Sequence, residues 1–374
     1  MPYSGIYPYY AQHVMGGIFC AATKMGFSHA DFSFVPVYVG QGGIKTTLEA
    51  VQKLLFFEGV DVLTGMVNIR VLEELRPMLE NHQKVGLFFD FGELVPPKHG
   101  FGQFTHSISM NLWQAQYALG KWAVQEFGTD GQIISPFYES GFNLHLAFLH
   151  GAAAAGATEL KNFVLPEAYA NKDILNLQPF FEAIAKDPPA FVHAIFTGKM
   201  GNQFLEQWRN SKFYDHIPLL TVENMAYTDM LQDLQHLGIK LHTTSSWQRK
   251  SETLMNREFV KHFENEGKQE ANIFGMLGYE LGLALSTMMP YLRKGDTLAA
   301  LHFLKQQKVE GPRGVLNIQE STPNQFPLVD ITQVNTNKNT INQTIVSQST
   351  AIGFDTTTVF QETVSGWQNP YLSV

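Results

Sequence analysis

From Phe32 onward, short runs rich in β-branched and aromatic residues alternate with amphipathic stretches of about 12 to 18 residues, and this alternation confines the chain to an α/β fold. Parallel strands need a long crossover, which a helix supplies, so the pattern predicts βαβ units around mostly parallel sheets. The run FSFVPVYV (32–39) is expected as a strand. Lys45 to Phe57 then places Leu48, Val51, Leu54 and Leu55 on one helical stripe that returns the chain to the sheet. Further strands are expected over 60–65, 84–91 and 132–137, with helices over 70–80 and 112–127. A second series has helices over 141–156, 173–185, 201–210 and 229–237, and strands over 160–165, 190–196 and 217–222, and the character changes after Lys240 to Thr243. Three helical stretches follow, ending near Lys308.

So many βα units exceed one ordinary sheet, and at 374 residues the chain has room for two lobes, each with its own core. No Pro/Gly-rich linker divides it once, which fits lobes joined by several crossings. GPRG (311–314) signals a turn, and the Thr-, Asn- and Gln-rich remainder alternates like antiparallel strands. That tail, from residue 332 on, is expected to cover a lobe as short strands or coil, since its composition argues against a buried core element.

Charge and cysteine content exclude several functions. Acidic residues outnumber basic ones by 34 to 26, the wrong sign for neutralising a phosphate backbone, so no nucleic acid is expected as a partner. A single cysteine, Cys20, supports neither an internal disulfide nor a zinc cluster. The apolar runs are too short for the roughly 30 Å of a bilayer core, and no basic start with an apolar stretch marks a leader, so no membrane insertion is expected.

The apparent catalytic motifs fail on spacing. GQGGIKTT (40–47) resembles a phosphate loop, but Ile44 stands where the motif needs glycine before the lysine. DFG (90–92) lacks the other kinase signatures. The 13 histidines show no HExxH pattern, and Ser140 in YESGF lacks the nucleophile elbow. Glu139 and Glu223 could pair as carboxylates, although sequence spacing says nothing of their separation. No cofactor, metal or catalytic set is expected.

SGIYPYYAQHVMGG (4–17), VDVLTGMVN (60–68), FDFGE (89–93), IISPFYESGF (133–142), PAFVHAIFTGKMGNQFLEQW (189–208), FGMLGYE (274–280) and GPRG (311–314) occur in an order that resembles the type I periplasmic binding proteins of the branched-chain amino acid (leucine/isoleucine/valine) ABC transporter family. The resemblance implies two Rossmann-like lobes with mostly parallel sheets, a three-crossing hinge and a ligand clamped at the carboxyl ends of the strands. Lobe one would hold 1–110 and 245–331, lobe two 111–244, and 332–374 the tail. First-lobe contacts would fall on Ser4, Gly5 and Tyr7, on Val67 and Asn68, and on Phe91, Gly92 and Glu93. Second-lobe contacts would fall on Tyr138, Glu139, Ser140, Gly198, Glu223 and Tyr227.

In the family, Ser and Thr usually stand where Asn68 and Glu93 stand here, and an acid at the position of Glu223 often faces the ligand ammonium. An acid there also suits the N-terminus of a helix over Asn224 to Thr228. Tyr7, Phe89, Phe91, Phe137, Tyr138, Tyr227 and Trp247 gather near the strand ends, which favours a ligand larger than valine. Only Met1 to Tyr3 precede the loop that normally follows a central first strand, so either the natural chain begins earlier or that slot is filled differently. The resemblance implies an extracytoplasmic, periplasmic solute-binding protein that delivers an amino acid or related amphipathic or aromatic acid to an ABC permease, without chemistry. The alternatives are a ligand-sensing receptor module of the same fold and, less favoured, an α/β enzyme.

Overall fold

A computed structural model describes residues 1–97, 100–137, 143–171, 174–316, 318, 328–338 and 340–352. The chain opens with α1 (Tyr10–Lys24), followed by α2 (Ile44–Phe56), β1 (Val62–Met66), α3 (Ile69–His82), β2 (Val85–Asp90) and β3 (Thr105–Ser109). The three strands form one parallel sheet in the order β1-β2-β3. It then passes into α4 (Leu112–Phe127), β4 (Gly131–Pro136), α5 (Asn143–Ala154) and β5 (Lys161–Leu165). A two-stranded ribbon of β6 (Ala170–Asn171) and β7 (Ile174–Leu175) leads to α6 (Gln178–Lys186), β8 (Phe191–Ala194), α7 (Gly198–Arg209), β9 (Leu219–Thr221), α8 (Thr228–Gln232) and β10 (Lys240–Ser245).

Helices α9 (Leu254–Gly267), α10 (Ile273–Leu292) and α11 (Thr297–Gln306) return to the first lobe, where α10 rests on β2 and β3. A small hairpin, β11 (Glu310–Gly311) and β12 (Gly314–Val315), follows, and Ile318 bridges to Ile108 of β3. The chain then crosses again to β13 (Leu328–Asn337) and β14 (Thr340–Thr350), which extend the second sheet to seven strands in the order β14-β13-β10-β9-β8-β4-β5. The architecture is two α/β lobes with mostly parallel sheets, joined at three crossings: after β3, after β10 and before β13.

Several expectations are corrected. Residues 32–39 are extended but form no strand ladder, because their backbone meets only the short segment Met1 to Tyr3. Two bonds join them, the Met1 amino group to Val37 O at 2.7 Å and Val39 N–H to Met1 O at 3.2 Å, and Tyr3 N–H donates to Gly40 O just beyond at 2.8 Å. Strand β3 (THSIS) is missing from the sequence reading because its Ser and His residues do not look like a core strand, yet all five are buried. Its two serine hydroxyls are satisfied by the neighbouring strand: Ser107 and Ser109 each donate to Asp90 at 2.5 Å.

The helix expected over 173–185 starts only at Gln178, with Pro179 in its first turn, where a missing N–H costs nothing. The helix over 229–237 breaks after α8, and Gly238 in the left-handed region (φ +67°) ends the 3-10 turn Gln235–Leu237. The tail yields strands of 10 and 11 residues rather than short ones, and Ile331, Thr332 and Val334 of β13 are buried. Alternation puts Thr332, Val334 and Thr336 on the covered face whatever the average composition, and the ladder shifts register between Ile331 and Thr332.

Candidate functional site

The first-lobe loops are fixed by their own backbone chemistry. Ser4 Oγ accepts the Tyr7 N–H at 2.9 Å, and Tyr10 donates its hydroxyl to Pro2 O at 2.7 Å, which shapes the turn into α1. Gly5 is exposed on the outside of that turn. The Tyr7 ring meets Phe274 of α10 edge-on at 5.0 Å, and Phe91 meets the same ring at 5.8 Å. Val67 donates its N–H to Phe89 O, and Asn68 caps α3 by accepting the Arg70 N–H at 2.9 Å.

Gly92 sits at φ +71°, and a Cβ there would lie 2.6 Å from the Asn111 backbone. That space is used: Trp113 in the first turn of α4 donates its N–H to Gly92 O at 2.8 Å, so the β2 loop touches the second lobe's first helix directly. Asn68, Asp90, Phe91, Gly92 and Glu93 line one pocket with Met66, Ile69 and Leu94.

On the second lobe, Gly198 opens α7 at φ +52°, and its missing Cβ would stand 3.0 Å from the Ile6 side chain of the first lobe. Glu223 follows β9 and begins the 3-10 turn Glu223–Ala226. Its buried carboxylate accepts the Ser246 N–H at 2.9 and 3.0 Å, the Ser246 hydroxyl at 2.5 Å and the Thr244 hydroxyl at 3.5 Å. Those donors come from the end of β10 and the second crossing, and no bond runs from residues 224–228, so the capping reading is replaced by a tie to the hinge. Glu223, Tyr227, Thr244 and Trp247 line a second pocket with Thr332 and Gln343 of the C-terminal hairpin. Trp247 is fixed by donating Nε1 to Asn256 Oδ1 at 2.7 Å.

Burial pushes the Glu223 carboxyl up to about 7, opposed by the Ser246 and Thr244 donors and by the charge of Arg313. Burial also raises Asp90, with Ser107 and Ser109 working against it. The Tyr7 and Tyr227 hydroxyls are raised by burial as well, which keeps them protonated donors at neutral pH. Tyr227 feels the charges of Glu223 from its own lobe and Glu93 from the other, and its hydroxyl is buried without a hydrogen-bond partner.

The structure therefore places Asn68, Phe91, Gly92 and Glu93 on one first-lobe pocket and Glu223 and Tyr227 on a separate second-lobe pocket, while Tyr7 packs on Phe274 beside Phe91 and Gly198 meets Ile6 of the first lobe. Tyr138, Glu139 and Ser140 lie outside the described residues. Of the expected aromatic wall, Phe89 is wholly buried inside β2 and Phe137 is 59% exposed, so neither forms a cleft wall with Tyr7 and Tyr227. Sequence reasoning missed Phe274, Ser246 and the ion pair of Arg313 with Glu280. A fully buried glutamate inside the apolar run of α10 was the available signal for that pair.

Comparison with known proteins adds the following. The profile of a family described as periplasmic binding protein matches residues 39–339. An ABC transporter substrate-binding protein from Sphaerobacter thermophilus superposes with a TM-score of 0.76 at 16% identity, covering 94% of this chain and 99% of its own. A solute-binding protein of an R. palustris ABC transporter, in complex with benzoate, gives 0.71 at 18% identity over 97% and 96%. A leucine-binding protein from Thermotoga maritima gives 0.68 at 14% identity over 93% and 96%. No curated protein matches the sequence.

Proposed function

Because this chain belongs to the periplasmic binding protein family, a family of solute-binding proteins and not of enzymes, we propose that it captures a small molecule between its two lobes outside the cytoplasm and delivers it to an ABC permease. Among the described residues, no helix is long and apolar enough to cross a membrane. The observation that carries the reading is the buried, unpartnered Tyr227 hydroxyl on the pocket it shares with Glu223, because a buried donor is costly unless something accepts from it. A polar group of a ligand held between the loops supplies that acceptor.

The ligand we favour is an amino acid or a related amphipathic or aromatic acid. The N-terminus of α3, with Asn68 as its cap, opens beside Gly92 and Glu93 and suits a carboxylate. Glu223 offers an ammonium partner, and the Tyr7 and Tyr227 rings offer flat faces for a side chain larger than valine. Ser4, Val67, Phe91 and Gly198 shape the walls. The leucine-binding and benzoate-bound relatives make both ligand types worth testing.

A thermal-shift panel of amino acids, amides, aromatic acids and short peptides tests this, since a ligand at 100 times its dissociation constant adds about 2.7 kcal/mol of stability. Calorimetry then compares wild type with Glu223→Gln. An amine ligand should bind the variant more weakly by roughly 1.5 to 3 kcal/mol, whereas an aromatic acid without an amine should bind it equally well or better. An unchanged affinity for an amino acid removes Glu223 from the site, and a panel without any stabilising compound overturns the binding reading.

A further inference from the structure

Arg313 stands where the chain passes between the lobes. It lies in the turn of the β11–β12 hairpin, just before the third crossing, and its guanidinium reaches both α10 and the end of β3. Nε donates to both carboxylate oxygens of Glu280 at 3.0 and 3.1 Å, and Nη2 donates to Oε2 at 2.5 Å. Nη1 donates to the carbonyl of Ser109 at 3.1 Å, the last residue of β3 and the start of the first crossing, and touches Met110 Sδ at 3.4 Å. The same sulfur accepts a long contact of 3.9 Å from Ser246 Oγ, at the second crossing, and Ser246 is the residue that Glu223 of the second lobe holds. Gly311 lets the hairpin press on the ion pair, since a Cβ there would lie 3.0 Å from Glu280 Cγ.

Glu280 is fully buried and Arg313 is only 19% exposed. A buried ion pair of this kind gives little net stability over apolar residues of the same size, because desolvation offsets the attraction. Its contact with the first crossing, its place ahead of the third and its link through Met110 to Ser246 of the second point instead to control of how the lobes are set. Resting on the solute-binding reading above, we propose that Arg313 is the positioning residue of the hinge: it anchors the first crossing to α10, meets the second crossing through Met110, and thereby fixes the angle between the lobes on which capture depends.

The test reads lobe geometry in ligand-free protein. Nitroxides are placed at the exposed positions Glu73 on α3 and Lys186 on α6, with buried Cys20 left in place, and the distance distribution is measured by pulsed electron spin resonance. The double variant Arg313→Met, Glu280→Met removes both charges together and should unfold near the wild-type temperature while losing the single narrow distance peak. Arg313→Lys keeps the charge, loses the fork that reaches Ser109, and should broaden the peak to a lesser degree. Distributions that superimpose on wild type in folded variants overturn the proposal, and if the double variant does not fold, Arg313→Lys alone decides. Leucine and benzoate, added singly to the labelled wild type, report on capture separately, so a protein that binds neither compound and others of the panel fails the solute-binding reading without touching the comparison of ligand-free distances.

Discussion

Glu223 carries a titration that belongs to its surroundings rather than to its residue type. In the unfolded chain its carboxyl ionises near the ordinary glutamate value of 4.5, whereas burial pushes the folded group up to about 7. Below pH 4.5 both states keep the proton, and between the two values only the folded state does, so this group's contribution to stability falls as pH rises through that window. Glu223→Gln is neutral throughout. Its stability relative to wild type should therefore rise by on the order of 3 kcal/mol between pH 4 and pH 8, measured by urea unfolding at the two values. A constant offset between the proteins would show that the carboxyl is not perturbed in the fold.

Helices α1 and α10 form the closest helix pair of the first lobe, and glycines permit it. A Cβ at Gly278 would lie 2.1 Å from the Val14 carbonyl oxygen, and backbone cannot step aside as a side chain can. Gly278→Ala should cost at least about 2 kcal/mol, while Gly16→Ala, whose new Cβ would sit 3.4 Å from the Phe263 ring, should stay within about 1 kcal/mol of wild type. Thermal denaturation of the pair checks this, and equal losses would contradict the helix contact. The C-terminal hairpin makes a different case. Removing β14 by truncation after Asn337 uncovers the edge of β13 and should lower stability, yet its tie to the candidate site is slight, Gln343 Nε2 to Ala226 O at 3.2 Å. A folded truncation should still bind whatever compound the wild type binds, and complete loss of binding would place β14 in the site itself.

At the scale of the molecule, the separate sheets give each lobe its own rigid frame, and the three crossings are the natural place for bending. A ligand contacted by both lobes favours the closed arrangement by its difference in affinity for the two states. Small-angle scattering should therefore give a smaller radius of gyration for wild type saturated with a compound that the thermal panel identifies than for the free protein. An unchanged profile with a tightly bound compound would mean that the lobes do not move on capture.

The alternation of β-rich and amphipathic runs determined the α/β class and most element positions, because side-chain periodicity is a local property: helix 112–127 matches α4 at both ends, and strand 84–91 contains β2. The loops of Asn68, Gly92 and Glu223 follow the ends of β1, β2 and β9, close to where the strand-like runs in the sequence stop. What the sequence did not carry was pairing across distance. That β13 and β14 complete the second-lobe sheet, that polar β3 is a buried strand, and that Glu223 answers to Ser246 rather than to its own turn all follow from topology. Arg313 and Ser109 meet across 204 positions of chain, and Arg313 and Glu280 across 33. No local pattern encodes such contacts, because they exist only after the crossings have brought separate elements to one point, where a buried charge must find its partner or remain desolvated alone.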